Sequence, residues 1–158
     1  MPDYGFRPVV AADLPMLAEW LRQPAVARWW PGPDRQIALV REDMDHGVMR
    51  QVIACRGDTP LGYAQSYPAL HWPAPHFAGL PAGTVALDVF GGPQGMGQGG
   101  AWLRALGDLL LRDAEMLAID PNPENARAIR ACEKAGFAGT RIAADSAGQA
   151  VRVMTRRR

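Results

Sequence analysis

The glycine-rich segment at residues 93–103, PQGMGQGGAWL, constrains the fold of this chain more than any other part of the sequence. It has four glycines within six residues, follows an apolar run typical of a β-strand at 84–90, and leads into a helical pattern. The first N–H groups of a helix have no carbonyl partner inside the helix, and the helix dipole places about half a positive charge beside them. Glycines carry no Cβ, so an anion can approach these N–H groups closely. The segment therefore predicts a phosphate-binding loop between a strand and a helix.

Three kinds of phosphate loop compete for this segment. A P-loop needs Gly-Lys-Ser/Thr after its second glycine, and the chain lacks it. A dinucleotide-binding turn matches G-x-G-x-x-G over residues 95–100, with Asp120 twenty residues after the last glycine. However, three residues separate the strand from Gln94, and the 58 residues after the last glycine lack the required βα crossovers. The pattern Gln94-x-x-Gly97-x-Gly99 opening a helix fits best, while a purely structural turn stays open.

Hydrophobic periodicity and turn residues predict a mixed α/β fold in a single domain over residues 1–158. Asp13 and Asp34 are placed as helix N-caps, and Gly47 and Gly136 as C-terminal glycines. The predicted strands are 4–10, 51–56, 61–67, 84–90, 116–119, 137–142 and 150–155; the predicted helices are 14–21, 34–47, 99–112 and 125–135, with a short helical turn near 25–33.

Composition excludes several classes of protein. A formal net charge of +1 gives no reason to expect a nucleic acid or an anionic membrane as partner. No apolar run approaches the ~20 residues that span a bilayer, and the N-terminus does not resemble a signal peptide. Cys55 and Cys132 form neither a metal spacing nor a disulfide framework, and His71 and His76 lack a third ligand. We expect a cytoplasmic protein without a metal.

Four segments in order resemble one family. LDVFGGPQGMGQGGAWL, residues 87–103, resembles the strand, loop and helix of the GNAT superfamily of acetyl-CoA-dependent N-acetyltransferases. DPNPENARAIRACEKAGF at 120–137, GYAQSY at 62–67 and EWL…ARWW at 19–30 are similar to the aminoglycoside 6′-N-acetyltransferase branch. The resemblance implies a central, mostly antiparallel sheet that splays at the cofactor strand and is flanked by helices.

The resemblance also implies acetyl-CoA as cosubstrate and a set of residues that bind it. The strand end pairs with the pantetheine arm, and the loop amides hold the pyrophosphate. The residues implied are Val89, Phe90, Gln94, Gly95, Met96, Gly97, Gln98, Gly99, Gly100, Asn125 and Lys134. Asn125 is equally typical of a helix N-cap, and Lys134 of a solvated lysine in a last helical turn.

Asp88 is the candidate amine-binding residue or base. An alkylammonium with a pKa near 10.4 is only about one part in 2,500 neutral at pH 7, which corresponds to about 4.6 kcal/mol. A base or local desolvation must therefore assist the attack on the thioester. Asp88 interrupts the apolar strand TVALDVF and resembles the catalytic aspartate of the branch. Strand alternation also permits Asp88 to face solvent.

Cys132 departs from the family pattern, because relatives carry a tyrosine where this chain has CEKAGF. The family tyrosine would protonate the departing thiolate. A cysteine thiol has a lower pKa than a phenol, about 8.5 against about 10, but it is a weaker hydrogen-bond donor. Either Cys132 donates the proton, or the thiolate leaves unassisted, or Tyr63 or Tyr67 replaces the missing tyrosine. Packing is the alternative role for a buried cysteine.

The expected acceptor is a small-molecule primary amine, with an aminoglycoside type the nearest candidate and antibiotic resistance one possible role. Relatives carry an acid-rich loop before the base strand, whereas residues 68–83 here contain no Asp or Glu. We therefore expect an acceptor with fewer positive charges, or poor turnover of aminoglycosides. The acceptor-binding candidates are Trp29, Trp30, Gln65, Tyr67 and Asp120.

Other interpretations stay open at the level of sequence. They are a catalytically silent acyl-CoA-binding module, an acetyltransferase for a protein or peptide amine, and a siderophore-related acyltransferase. The oligomeric expectation is a monomer or a homodimer, and no nucleic acid or membrane is expected as partner.

Overall fold

A computed structural model describes residues 3–158, so the first two residues of the predicted domain lie outside the described part. The order of elements follows the sequence prediction. The strands are β1 (Tyr4–Pro8), β2 (Arg50–Arg56), β3 (Thr59–Pro68), β4 (Val85–Gly91), β5 (Met116–Ile119), β6 (Ala138–Ala144) and β7 (Ala150–Arg157). The helices are α1 (Leu14–Arg22), α2 (Pro24–Ala27), α3 (Pro33–Met44), α4 (Gly99–Leu110) and α5 (Ala126–Lys134). Short 3-10 turns occur at Ala11–Asp13, Pro75–Phe77 and Pro93–Gly95.

The strands form one sheet in the order β1-β2-β3-β4-β5-β7-β6. Antiparallel pairs join β1 to β2, β5 to β7 and β6 to β7, whereas β4 and β5 are parallel. The parallel register pairs Val85 with Leu117 and Leu87 with Ile119, where β5 ends. The predicted mixed α/β class is therefore confirmed.

The described chain divides into two compact units, and β3 and β4 each contribute to both. The first unit runs to Gln65 and includes Val89–Gln98; the second contains Ser66–Asp88 and Gly99–Arg158. The core of the first unit consists of Leu14, Leu17, Trp20, Leu21, Val40, Ile53, Cys55, Tyr63 and Phe90. A core cluster of the second consists of Ala69, Phe77, Ala86, Ala118, Val151 and Val153. The single-domain expectation stays a prediction.

The two aspartates expected to cap helices bind arginines instead. Asp13 precedes α1, but its carboxylate accepts two bonds of 2.8 Å from the Arg7 guanidinium and one of 2.9 Å from the Val10 N–H. Asp34 lies inside the first turn of α3 and accepts a bond of 3.1 Å from Arg22. Asp13 thus occupies the predicted N-cap position of α1 without a side-chain bond to the helix. The prediction of Asp34 as an N-cap was wrong, because α3 begins one residue earlier, at Pro33, with Gly32 as its N-cap.

The ends of the helices follow from backbone conformation. Gly32 precedes α3 with φ of +74° and allows Pro33 to occupy the first helical position. The helix ends at Met44 with Asp45 as C-cap, so the predicted end at Gly47 was wrong. Gly136, with φ of +96°, follows α5 as the sequence predicted.

Candidate active site

In the first unit, the glycine loop connects the end of β4 to α4 through the turn Pro93–Gly95. A Cβ added at Gly92 would lie 2.4 Å from the Trp20 ring, and one added at Gly95 would lie 2.2 Å from the Leu61 carbonyl oxygen. The Gly92 N–H also donates to that oxygen at 2.8 Å. These two glycines are therefore required by the close approach of the loop to its own unit.

Two other glycines leave open space beside the backbone. Gly97 has φ of +80°, and a Cβ added there would meet no heavy atom within 4 Å. The same is true at Gly99, the first residue of α4. A phosphate oxygen can approach the N–H groups at such positions, and a side chain would occupy that space. The loop and the start of α4 therefore each fit the pyrophosphate predicted from the sequence.

In the second unit, the first turn of α4 contacts the end of α5. A Cβ added at Gly100 would lie 2.8 Å from Lys134 Cδ, so the lysine stem crosses this turn. Arg104 Nη1 donates to the Lys134 carbonyl at 3.0 Å. Asn125 Oδ1 accepts from the Ala128 N–H at 3.2 Å and caps α5. The cap is thus present, and the binding of cosubstrate by Asn125 and Lys134 stays a prediction.

A group of polar side chains in the second unit, here the carboxylate cluster, consists of Tyr67, His76, Asp88 and Asp120. The Tyr67 hydroxyl is hydrogen-bonded to Asp88. Burial, followed by the negative charges of Asp88 and Asp120, raises the pKa of Tyr67 well above its usual value. The hydroxyl therefore stays protonated and donates to the Asp88 carboxylate. Asp88 is half-buried, so the structure does not place it on a solvent-exposed face.

Asp120 forms the second contact of the carboxylate cluster. His76 Nε2 lies 2.8 Å from Asp120 Oδ2, with 7% of the His76 side chain and 20% of the Asp120 side chain exposed. The sequence pointed to Asp120 through a family resemblance, but no signal linked it to His76, which lies 44 residues earlier. The absence of acids in residues 68–83 was the only indication that this loop differs from those of relatives.

Cys132 is buried on α5 beside the same charges. Burial, followed by the negative charge of Asp120, raises the pKa of the thiol to about 12. At neutral pH the group is therefore a protonated thiol. This favours the packing interpretation of Cys132, whose catalytic role stays a prediction.

The acceptor candidates of the first unit belong to an aromatic group. Trp30 meets Phe90 edge to face at 5.1 Å, and Phe90 stacks on Tyr63 at 4.8 Å. The Tyr63 hydroxyl donates to Gln65 Oε1 at 2.7 Å. The guanidinium carbon of Arg28 lies 4.6 Å from the centre of the Trp29 ring. Trp30 thus packs against the core, and the structure brings Gln65 to Tyr63.

The strand, glycine loop and helix lie within the residues that a family profile matches. A profile described as "Acetyltransferase (GNAT) domain" matches residues 9–143. The chain belongs to the GNAT acetyltransferase family. This membership confirms the resemblance seen in the sequence.

Similar proteins narrow the comparison within the family. The aminoglycoside N(6')-acetyltransferases type 1 of Klebsiella pneumoniae and Serratia marcescens are each 39% identical over 139 residues, which cover 79% of this chain and 69% of theirs. Structures of AAC(6')-Ib with ribostamycin and coenzyme A, and with an aminoglycoside and acetyl-CoA, have TM-scores of 0.80 at 30% identity. Each alignment covers 99% of this chain and 94% of the other.

The protein is an N-acetyltransferase that uses acetyl-CoA, as the sequence predicted. Family membership favours this activity over a silent acyl-CoA-binding module. Among residues 3–158 no helix is long and apolar enough to cross a membrane. The same residues contain no group of three or more His, Cys, Asp or Glu side chains placed to hold a metal ion.

Proposed function

We propose that this enzyme acetylates a primary amine of an aminoglycoside-type amino sugar, with Asp88 holding that amine. The observation that carries the proposal is the carboxylate cluster, in which the charges of Asp88 and Asp120 both act on Tyr67. Two carboxylates around one hydroxyl form a site for a cationic group that also bears hydroxyls. The names of the relatives support the same class of acceptor.

Asp88 has the capacity to bind an ammonium group while Tyr67 orients it. An ionised carboxylate has two oxygens and about four lone-pair sites, so the bond from Tyr67 leaves capacity for the acceptor. The half-buried position strengthens the attraction to the ammonium relative to bulk water. An ammonium has no lone pair, so Asp88 first takes up one of its protons, directly or through water, and the neutral amine then attacks. The second proton, lost as the amide forms, passes to solvent.

Acetyl-CoA supplies the thioester carbonyl that the amine attacks. Asp88 lies six residues before Gln94 and directly after the residues of β4 that pair with β5. The placement along one strand and one loop therefore supports a role for Asp88 beside the thioester.

We further propose that the thiolate leaves without a side-chain acid. Transfer of a proton from Cys132, whose pKa is about 12, to a thiolate with a conjugate-acid pKa near 8.5 is uphill by roughly 5 kcal/mol. Tyr67 is also a poor acid, because its pKa is raised and its proton is held by Asp88. A thiolate is a sufficiently stable leaving group to depart unaided when the attacking amine has lost its proton.

The test combines calorimetry and kinetics. Titration with acetyl-CoA establishes the affinity, and free thiol is then measured after addition of kanamycin-type compounds, singly charged amino sugars, polyamines and a lysine peptide. Thiol release with amino sugars supports the proposal. Release only with the peptide or the polyamines overturns the acceptor class.

A further inference from the structure

His76 is buried in a place where its polar ring has a single partner. The residue is 6% exposed, and its Nε2 lies 2.8 Å from Asp120 Oδ2. A carboxylate only accepts hydrogen bonds, so Nε2 is the donor. The other ring nitrogen, Nδ1, is buried and has no hydrogen-bond partner among the residues that the structure describes. Burial of such a polar ring opposes folding, and the hydrogen bond to Asp120 compensates part of that cost.

The backbone carbonyl of His76 and the residue that follows it are held by contacts within the second unit. The next residue, Phe77, is 1% exposed and belongs to the core cluster of the second unit. Arg141 Nη2, on β6, donates to the His76 carbonyl at 2.7 Å. The packing around His76 therefore sets the position of the imidazole, and the imidazole in turn orients the Asp120 carboxylate.

Asp120 lies directly after β5 and keeps part of its surface exposed. The exposed fraction of its side chain is 20%, against 7% for His76. The bond from His76 engages Oδ2, one of the two carboxylate oxygens. The protein thus holds one oxygen of a carboxylate whose side chain is partly exposed.

We propose that His76 is a positioning and specificity residue that aims Asp120 at one ammonium group of the acceptor. This inference rests on the proposed function. Residues 68–83 carry no acid and so add no carboxylate to Asp88 and Asp120 of the carboxylate cluster. The bond from His76 also occupies one oxygen of Asp120, which reduces the number of ammonium groups that this carboxylate can bind. The site then suits an acceptor with one further ammonium group near the reacting amine, in place of a polycation.

Two substitutions at His76 distinguish a role in orienting Asp120 from a role in packing alone. His76→Leu removes the donor and keeps an apolar side chain, while His76→Gln returns an amide N–H at the distance of Nε2. We expect His76→Leu to raise the acceptor KM about tenfold with little change in kcat or in acetyl-CoA affinity, and His76→Gln to recover most of the loss. His46→Leu, at an exposed histidine of the first unit, is the matched control and leaves the KM unchanged.

A double-mutant cycle with Asp120→Asn tests whether His76 changes the acceptor KM through Asp120. If His76 acts through Asp120, His76→Leu has no further effect on the acceptor KM in the Asp120→Asn background. Equal effects in both backgrounds, no rescue by His76→Gln, or a loss confined to kcat overturns the inference. Should His76→Leu not fold, the comparison of wild type, His76→Gln and Asp120→Asn decides in the same way. Failure of the wild type to acetylate any amino sugar overturns the proposed function itself.

Discussion

At the scale of single residues, acceptor binding depends on the hydrogen-bond donors that orient the carboxylates of Asp88 and Asp120. Tyr67 donates to Asp88, and burial keeps its proton in place. His76 donates to Asp120 at 2.8 Å. Each of the two carboxylates thus accepts a hydrogen bond from a protein side chain, which orients the group. The acceptor cation supplies the counter-charge.

Asp88→Asn tests the role of the first carboxylate. An amide cannot take the amine proton, so we expect kcat/KM for the acceptor to fall by about 100-fold. The affinity for acetyl-CoA, measured by calorimetry, stays unchanged. Asp58→Asn, at an exposed turn residue, is the matched control. A loss of less than about threefold would exclude Asp88 as the base.

Cys132→Ala tests whether the thiol takes part in the reaction. We expect turnover to stay within about threefold, while the free energy of unfolding falls by roughly 1–2 kcal/mol because a buried side chain is shortened. Steady-state kinetics and urea denaturation measure the two effects. An activity loss of about 100-fold in a folded variant would instead assign the thiol a catalytic role.

The raised pKa of Cys132 also fixes the direction of a pH effect. The folded state favours the neutral thiol of Cys132. The stability that this preference contributes is therefore present below the ordinary pKa of 9.0 and is lost as the pH rises through about 12. Alkylation of Cys132 in a Cys55→Ser background should therefore be slow at pH 8 and accelerate over that range.

At the scale of elements, the glycines between β4 and α4 are required for different physical reasons. A Cβ at Gly95 would lie 2.2 Å from a β3 carbonyl oxygen, whereas a Cβ at Gly99 would meet nothing within 4 Å. The first position is constrained by folding. The second is open on the side where a ligand approaches.

Gly99→Ala and Gly95→Ala should therefore fail in different ways. We expect Gly99→Ala to keep its thermal stability, since alanine favours a helix, while its Kd for acetyl-CoA rises about tenfold. Gly95→Ala should lower the free energy of unfolding by roughly 1–3 kcal/mol. Thermal denaturation and calorimetry on both variants check the pair. Unchanged acetyl-CoA affinity in Gly99→Ala would remove this position from the cosubstrate site.

The order of strands and helices could be predicted from the sequence because periodicity is a local signal. The start of α1 at Leu14, directly after Asp13, could be predicted as well. The start of α3 could not be placed at the right residue, because the left-handed conformation of Gly32 lets the helix begin at Pro33, before Asp34. The glycine loop could be predicted from spacing alone. The bond between His76 and Asp120 could not, since it depends on packing across 44 residues of chain.

At the scale of the whole molecule, charge bears on which acceptors are drawn to the enzyme. The formal net charge of +1 provides no long-range attraction for a polycation, and residues 68–83 add no acid near the carboxylate cluster. Attraction of the acceptor then comes from Asp88 and Asp120 at short range. Partly buried pairs of this kind are screened by salt much less than separated surface charges.

Salt dependence tests this account of acceptor binding. We expect kcat/KM for a kanamycin-type compound to fall less than about threefold between roughly 50 and 500 mM KCl, because few long-range contacts exist to be screened. An amino sugar with two ammonium groups serves as the control and should show a similar slope and a higher kcat/KM. A steep decline for the polycation alone, measured by thiol release, would mean that carboxylates outside the cluster attract it, and the charge argument for a less cationic acceptor would then be wrong.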